Sequence, residues 1–257
     1  MANPIVVELA KMIDHSLLHP TMTDDDLKSG CELAIQYNTA SVCIKPYAVS
    51  KAAKWLSGSD VLVGTVIGFP HGNSTTVMKV AECRQVCEDG AVEVDMVVNP
   101  GKVLSKDWNY VRDEIAAIND EALRNGAIVK VIFENDYLPS DDYKIALCEI
   151  CNGVRVGFVK TSTGYGFVRG EDGKYITKGA TVEDLKLMRK HAAPHVQVKA
   201  AGGVRTLDDM LKVKELGVTR VGATATVAII EEAKKRFANG SAYTNTMSAD
   251  SSKDVGY

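Results

Sequence analysis

Short runs of apolar and β-branched residues alternate along this chain with longer segments whose apolar positions recur every three or four residues. A short amphipathic helix is predicted over 4–12 and a first strand over 12–18. The next period is a helix over 23–37, opened by Thr23 with Asp26 three residues on, a pairing that caps the free amides of a first turn. Strand and helix then follow in turn over 39–44 and 47–56, and over 61–69 and 75–88, the second helix stopped by Gly90. A strand over 92–98 leads to a long helix over 107–125 ahead of Gly126, and a strand over 128–133 leads to a helix over 141–151. The strand over 156–159 ends by delivering Lys160 into a loop of small hydroxyl residues and glycine, and an extended polar loop follows. A helix over 181–191 stops before Pro194, and the last two units are 196–200 with 207–216 and 220–222 with 227–238. Thr181 with Asp184 and Thr206 with Asp209 repeat the cap pattern of Thr23.

Eight strands, each followed by a helix, predict right-handed crossovers and a parallel sheet. Eight such units in about 240 residues close most naturally into a (β/α)8 TIM barrel, here with a short helix before the first strand. A doubly wound open sheet is the alternative, but no Gly-x-Gly-x-x-Gly follows the first strand. The pattern predicts one barrel domain over 1–240. From residue 241 to 257 apolar periodicity is lost, and this stretch reads as a mobile tail.

Composition narrows the partners. The 257 residues are 46% hydrophobic and 25% charged with a net charge of −3, and the isoelectric point is near 6.0. That balance carries no polycationic footprint, so nucleic acid and anionic membranes are not expected partners, while a local basic pocket for a small anion is still allowed. The longest apolar runs fall well short of the roughly 20 residues that a spanning helix needs. The N-terminus lacks a basic leader and carries Glu8 and Asp14. Six cysteines read as reduced thiols in a core, which suits the cytoplasm.

The chemistry lies in the charges at the strand ends, because the active site of such a barrel forms where the strands give way to the following loops. Lys130, Lys160 and Lys199 fall on the fifth, sixth and seventh strands and Asp95 on the fourth. Alone, Lys160 reads as a side chain that snorkels to solvent. A network of paired ions without chemistry is a second bland explanation, and two lysines converging on one pocket argue against both. Burial and a neighbouring ammonium both disfavour a lysine's protonated form. A free lysine titrates near 10.4, so a neutral amine at pH 7 requires a shift of more than about 3 units, or roughly 4–5 kcal/mol. A neutral amine attacks a carbonyl carbon and forms a Schiff base, an electron sink for making or breaking a carbon–carbon bond. Asp95, directly or through a water, is placed to move protons at the neighbouring carbon. Glycines form a second set. Gly202 and Gly203 follow the seventh strand and lead into a capped helix, and Gly222 to Thr224 follow the eighth, the two loops where such barrels commonly hold a phosphate.

Taken in order, Ile13-Asp14, Val42-Cys43-Ile44, Phe69-Pro70-His71-Gly72, Val94-Asp95, Lys130-Val131-Ile132, Lys160-Thr161-Ser162-Thr163-Gly164 and Lys199-Ala-Ala-Gly-Gly-Val-Arg205 resemble the 2-deoxyribose-5-phosphate aldolases. The match runs from about residue 12 to 238. This resemblance implies a class I, metal-independent (β/α)8 aldolase without a cofactor, acting on a phosphorylated sugar and an aldehyde and commonly assembled as a dimer or larger homo-oligomer. It makes Lys160 the Schiff-base lysine, Lys199 the lysine that perturbs it and Asp95 the acid/base residue. Asp14, Cys43 and Lys130 would line the pocket, and Gly164, Gly202, Gly203, Val204, Arg205, Gly222 and Thr224 would hold the phosphate. The chain departs from some relatives at Tyr165, where they carry a cation, at Thr224-Ala225, where they carry Ser-Ser, and in its longer loop before Thr181. Arg169, Lys174 and Lys178 in that loop are candidates to replace the cation.

Other residues read as structural. Cys148 and Cys151, like Cys83 and Cys87, sit in helical patterns without zinc-knuckle glycines, and the histidines form no helical metal-binding face. His71 is expected to shape a turn, and Glu134, four residues beyond Lys130, to be a structural ion-pair partner on the opposite or adjacent strand. A tail of about 17 residues ending in Tyr257 could reach the barrel mouth at ~3.3 Å per residue. Two other functions stay open at this point: a different Schiff-base lyase of the same barrel, and a phosphosugar-binding scaffold that has kept the pocket without catalysis.

Overall fold

The computed structural model describes residues 3–170 and 172–238. Tyr257 and the stretch from 239 onward, including the expected mobile tail, lie outside the described residues. Eight parallel strands close a barrel in the neighbour order β1-β10-β9-β6-β5-β4-β3-β2. They are β1 (Ile13–Leu17), β2 (Ser41–Ile44), β3 (Leu62–Ile67), β4 (Glu93–Val97), β5 (Ile128–Ile132), β6 (Phe158–Lys160), β9 (Gln197–Ala201) and β10 (Arg220–Ala223).

Each barrel strand feeds a helix on the outside: α2 (Asp24–Tyr37), α3 (Val49–Trp55), α4 (Thr76–Glu88), α6 (Trp108–Arg124), α7 (Asp141–Val154), α8 (Val182–His191), α9 (Leu207–Glu215) and α10 (Thr226–Arg236). Helix α1 (Pro4–Ala10) precedes the first strand. The caps form where the sequence places them. Thr23 with Asp26 and Thr206 with Asp209 make reciprocal capping boxes. Thr181 accepts from the Asp184 amide, but the Asp184 carboxylate turns to Lys144 instead of returning to the cap.

The polar connection before α8 is not plain loop. It holds an antiparallel hairpin of β7 (Val168–Arg169) and β8 (Tyr175–Ile176), too short to show as an alternating pattern. A further short helix, α5 (Pro100–Leu104), interrupts the connection from β4 to α6. The apolar core lies between strands and helices: Val42, Ile44, Val94, Met96, Val129 and Val131 are buried on the outward faces of the strands. All six cysteines are free, and Cys31, Cys83, Cys148 and Cys151 belong to this layer. Among the described residues no helix is long and apolar enough to cross a membrane.

Candidate active site

Side chains two apart on a strand share a face, and the face turned into this barrel carries ions. Asp14 on β1, Glu93 and Asp95 on β4, Lys130 on β5, Lys160 on β6, Lys199 on β9 and Arg220 on β10 meet there, and all but Arg220 are nearly sealed from solvent. The register explains the meeting: Lys130 pairs with Asp95 across β4–β5, Lys160 with Lys199 across β6–β9, and Lys199 with Arg220 across β9–β10. Arg220 reaches Asp14 at 2.6 Å and Glu93 at 2.7 Å. Lys130 contacts Glu93 at 2.7 Å and Asp95 Oδ1 at 2.9 Å, and Ser41 donates to Asp14 at 2.7 Å. Lys199 bonds Asp14 at 2.5 Å and Asp95 Oδ2 at 2.7 Å. Lys160 bonds that same Asp95 Oδ2 at 2.7 Å. Cys43 lies 4.0 Å from it through sulfur.

Four cations therefore face three carboxylates, and Lys160 is the cation with the smallest share of the negative charge. Its titration follows. Burial lowers the Lys160 pKa and the Lys199 ammonium lowers it further, against the pull of Asp95. Lys199 is just as buried, but Asp14 and Asp95 outweigh burial and raise its pKa. Lys130 is raised in the same way by Asp14, Asp95 and Glu93. Burial pushes the Asp95 carboxyl up, yet Lys130, Lys160 and Lys199 together hold it well below the usual carboxylate range. Asp14 is likewise held down by Lys130, Lys199 and Arg220 against its burial. Burial pushes the Cys43 thiol up to about 11, so it is a neutral wall group. The site thus holds two deprotonated carboxylates, Asp14 and Asp95, two firm ammonium groups and one destabilised ammonium.

The glycines lie where the strands open. Gly202 and Gly203 adopt φ of 84° and 90°, which side chains rarely tolerate. Gly164, at φ 85°, follows the Lys160 loop. Gly222 lies within β10, and a Cβ there would sit 3.5 Å from Lys199 Cε, so it is wall beside the lysine stem as well as approach to the rim. Val204 is buried, while Arg205 and Thr224 are exposed. Helix α10 starts without a side-chain cap, unlike α2, α4, α8 and α9. Its first residue, Thr226, turns its hydroxyl to His15 at 2.9 Å. Tyr165 meets Phe69 edge-on with ring centroids 5.6 Å apart. Arg169 bonds the Gly173 carbonyl and Lys174 pairs with Asp172, both within the hairpin, while the Lys178 backbone is held by Asp136.

One expectation fails. Glu134 pairs with no lysine ammonium within bonding distance. Its carboxylate instead accepts from the amide and hydroxyl of Thr163, because its backbone turns into the left-handed region at φ 55° and swings the side chain toward the loop after β6. His71 is exposed in a turn closed by the Gly72 amide on the Gly68 carbonyl. Two members of the ion cluster went unassigned from sequence, Glu93 and Arg220. The signal was available: each stands two residues before an inward position, Asp95 and Gly222. Among the described residues no three His, Cys, Asp or Glu side chains gather as a metal site.

A closed (β/α)8 barrel whose strands gather buried lysines and carboxylates at their C-terminal ends defines the class of protein, a barrel of the kind that houses enzyme active sites. The chain belongs to the DeoC/LacD family of aldolases, whose family model matches residues 8–229. It is 51% identical over 229 residues to a deoxyribose-phosphate aldolase of Rhodopirellula baltica, covering 89% of this chain and 90% of that one. It is 44% identical to a deoxyribose-phosphate aldolase of Thermococcus gammatolerans, over 89% and 97% of the two chains. Among solved structures, a tetrameric deoxyribose phosphate aldolase from Aeropyrum pernix superposes with a TM-score of 0.79 at 29% identity, covering 90% of this chain and 93% of that one.

Proposed function

We propose that this protein cleaves 2-deoxy-D-ribose 5-phosphate reversibly to D-glyceraldehyde 3-phosphate and acetaldehyde through a Schiff base on Lys160. The observation that carries the reading is Asp95 Oδ2, shared by Lys160 and Lys199, with Lys160 the ammonium whose charge is least supported. Phosphate binding alone calls for none of this, which disfavours a silent scaffold. The curated relatives of similar length carry the same activity in their names, which disfavours a different lyase.

In the cleavage direction the neutral Lys160 amine adds to the C1 aldehyde of the open-chain sugar, and loss of water leaves an iminium. Asp95, whose Oδ2 lies 2.7 Å from the Lys160 amine, takes the C3 hydroxyl proton through a water. The C2–C3 bond then breaks, its electron pair moves into the iminium to give an enamine, and glyceraldehyde 3-phosphate departs. Protonation of the enamine at C2 and hydrolysis release acetaldehyde and restore Lys160. Lys199 keeps its proton throughout, anchors Asp95 and disfavours charge on Lys160 between turnovers. Lys130, Asp14 and Cys43 wall the same cavity. The substrate phosphate lies at the glycine turn of Gly202, Gly203 and Val204, beside Arg205 and near Gly164, Gly222 and Thr224, facing the uncapped start of α10. The barrel over 1–240 is the catalytic unit, and we read the working form as a homo-oligomer, in keeping with the tetrameric Aeropyrum pernix relative.

Borohydride reduction in the presence of acetaldehyde, followed by peptide mass mapping, tests the mechanism. The expected product is an ethyl group on Lys160. Labelling elsewhere, or none, refutes it.

A further inference from the structure

We propose that the turn of Glu134, Asn135 and Asp136 is a brace that positions two halves of the site at once, Glu134 holding the loop behind Lys160 and Asp136 holding the segment that backs Gly202. The inference rests on the aldolase reading above and extends it to residues that touch neither substrate nor reacting atoms.

The brace begins as a continuation of the sheet. Phe133 donates to the Lys160 carbonyl at 3.0 Å and Asn135 to the Thr161 carbonyl at 3.0 Å, so β5 and β6 stay paired beyond their ends. At the next position the partner is a side chain. Both Glu134 oxygens accept from the Thr163 amide, at 3.2 and 3.3 Å, and Oε2 also accepts a hydrogen bond from the Thr163 hydroxyl. Tyr165 in turn donates its amide to that hydroxyl oxygen at 2.9 Å. Gly166 closes over the carboxylate so tightly that a Cβ would lie 2.7 Å from Glu134 Cδ. Glu134 is 1% exposed and holds a left-handed φ of 55°, a conformation that non-glycine residues adopt at a cost and that these contacts keep in place.

Asp136 forms the second arm. Its two oxygens each accept one backbone amide, Lys178 at 3.1 Å and Gly179 at 3.1 Å. Gly179, at φ 69°, lies flat on Gly202, where a Cβ would come within 3.1 Å of the Gly202 backbone. Ala180 then donates to the Gly202 carbonyl at 3.2 Å. The chain after the β7–β8 hairpin is therefore a backing plate for the glycine loop, and Asp136 fixes it. One three-residue turn thereby sets the amine end of the pocket through Thr163 and the phosphate end through Gly202. Removing the Glu134 carboxylate leaves the buried Thr163 amide without its acceptor, and removing the Asp136 carboxylate leaves the part-buried Gly179 amide without one and turns the exposed Lys178 amide to water, which frees the loop each held.

Because the arms act on opposite ends of the substrate, their loss has different kinetic signatures. Cleavage of 2-deoxyribose 5-phosphate and of unphosphorylated 2-deoxyribose is compared in wild type and variants. For Asp136→Ala the KM for the phosphorylated sugar rises about tenfold with kcat within about twofold, and kcat/KM for the unphosphorylated sugar is unchanged. For Glu134→Ala kcat falls about tenfold or more on both sugars, and borohydride trapping of acetaldehyde slows in parallel. Glu134→Gln restores most of that rate, since an amide can accept from the Thr163 amide and donate to its hydroxyl oxygen. A partly unfolded preparation lowers kcat on both sugars alike and leaves each KM where it was, so the KM readout survives a stability defect. Equal losses on both sugars for Asp136→Ala, or an unaltered trapping rate for Glu134→Ala, overturn the brace while leaving the aldolase reading intact. A wild type that cleaves neither sugar overturns the aldolase reading and the brace with it.

Discussion

The decisive asymmetry at the residue scale is between three lysines that a sequence pattern treats alike. Lys130 and Lys199 each bind more than one carboxylate, whereas Lys160 has a half share of a single oxygen. Burial is the larger cause of the lowered Lys160 pKa and the neighbouring Lys199 ammonium the smaller. Lys199→Met removes a like charge and leaves Asp95 Oδ2 to Lys160 alone. Both changes favour the protonated form, so the Lys160 pKa rises and the neutral fraction at pH 7 falls about tenfold for each unit. The acid limb of the pH profile of kcat/KM should move to higher pH, with recovery above pH 9. A uniform drop at every pH would instead mean that Lys199 does not act through the charge of Lys160. Asp95→Asn takes the shared anion from three ammonium groups and should cost about 3–5 kcal/mol of stability by urea titration, along with turnover.

At the scale of elements, the helical layer holds a further buried ion pair. Lys79 of α4 and Glu114 of α6 are wholly sealed from solvent and 2.9 Å apart, and Lys79 also donates to the Val97 carbonyl at 2.9 Å. Burial pulls Lys79 down and pushes Glu114 up, so both lean toward neutrality. The Lys79 stem fills the space beside Gly68, where a Cβ would meet Cε at 2.8 Å, and so ties α4 to the loop that carries Phe69 and His71. Breaking the pair from one side strands a buried polar group. Lys79→Met and Glu114→Leu should each cost about 3–5 kcal/mol, and the double substitution less than their sum, with the coupling read from a double-mutant cycle in urea. Full additivity would show that the pair does not organise this helix contact.

Stability against acid is a property of the whole molecule, and the signs can be worked out. His15 is buried against Thr226, and burial lowers its pKa to about 4. The unfolded chain takes up that proton near 6.5, so stability present above pH 6.5 is lost as the pH falls toward 4, by roughly 3 kcal/mol. Asp14 and Asp95 are held down in the folded state, so their contribution is present above about pH 4 and disappears only below it. Two stages of acid destabilisation are expected. His15→Gln should abolish the first, read by urea unfolding between pH 7 and pH 4, and leave the second, read by continuing the series below pH 4. An unchanged slope over that range would assign the first stage to another group.

Much of this protein was legible in its residues because the relevant signals are local and periodic. Runs of apolar residues at two spacings determined the eight strand-and-helix units, Thr23 and Thr206 determined where two helices begin, and a lysine at the end of a strand marked the position proposed to react. Tertiary structure decided what depends on register and on closure of the sheet. Strand pairing placed Lys160 beside Lys199 and Lys130 beside Asp95, and brought Arg220 and Glu93, far apart in the chain, into the same buried cluster. It turned Glu134 from an expected lysine partner to a clamp on Thr163, through one left-handed residue that no periodicity announces. Side-chain spacing along a strand says which residues share a face, while only the closed barrel says which charges must share a carboxylate. That count, four cations to three carboxylates, leaves Lys160 as the ammonium most ready to lose its proton.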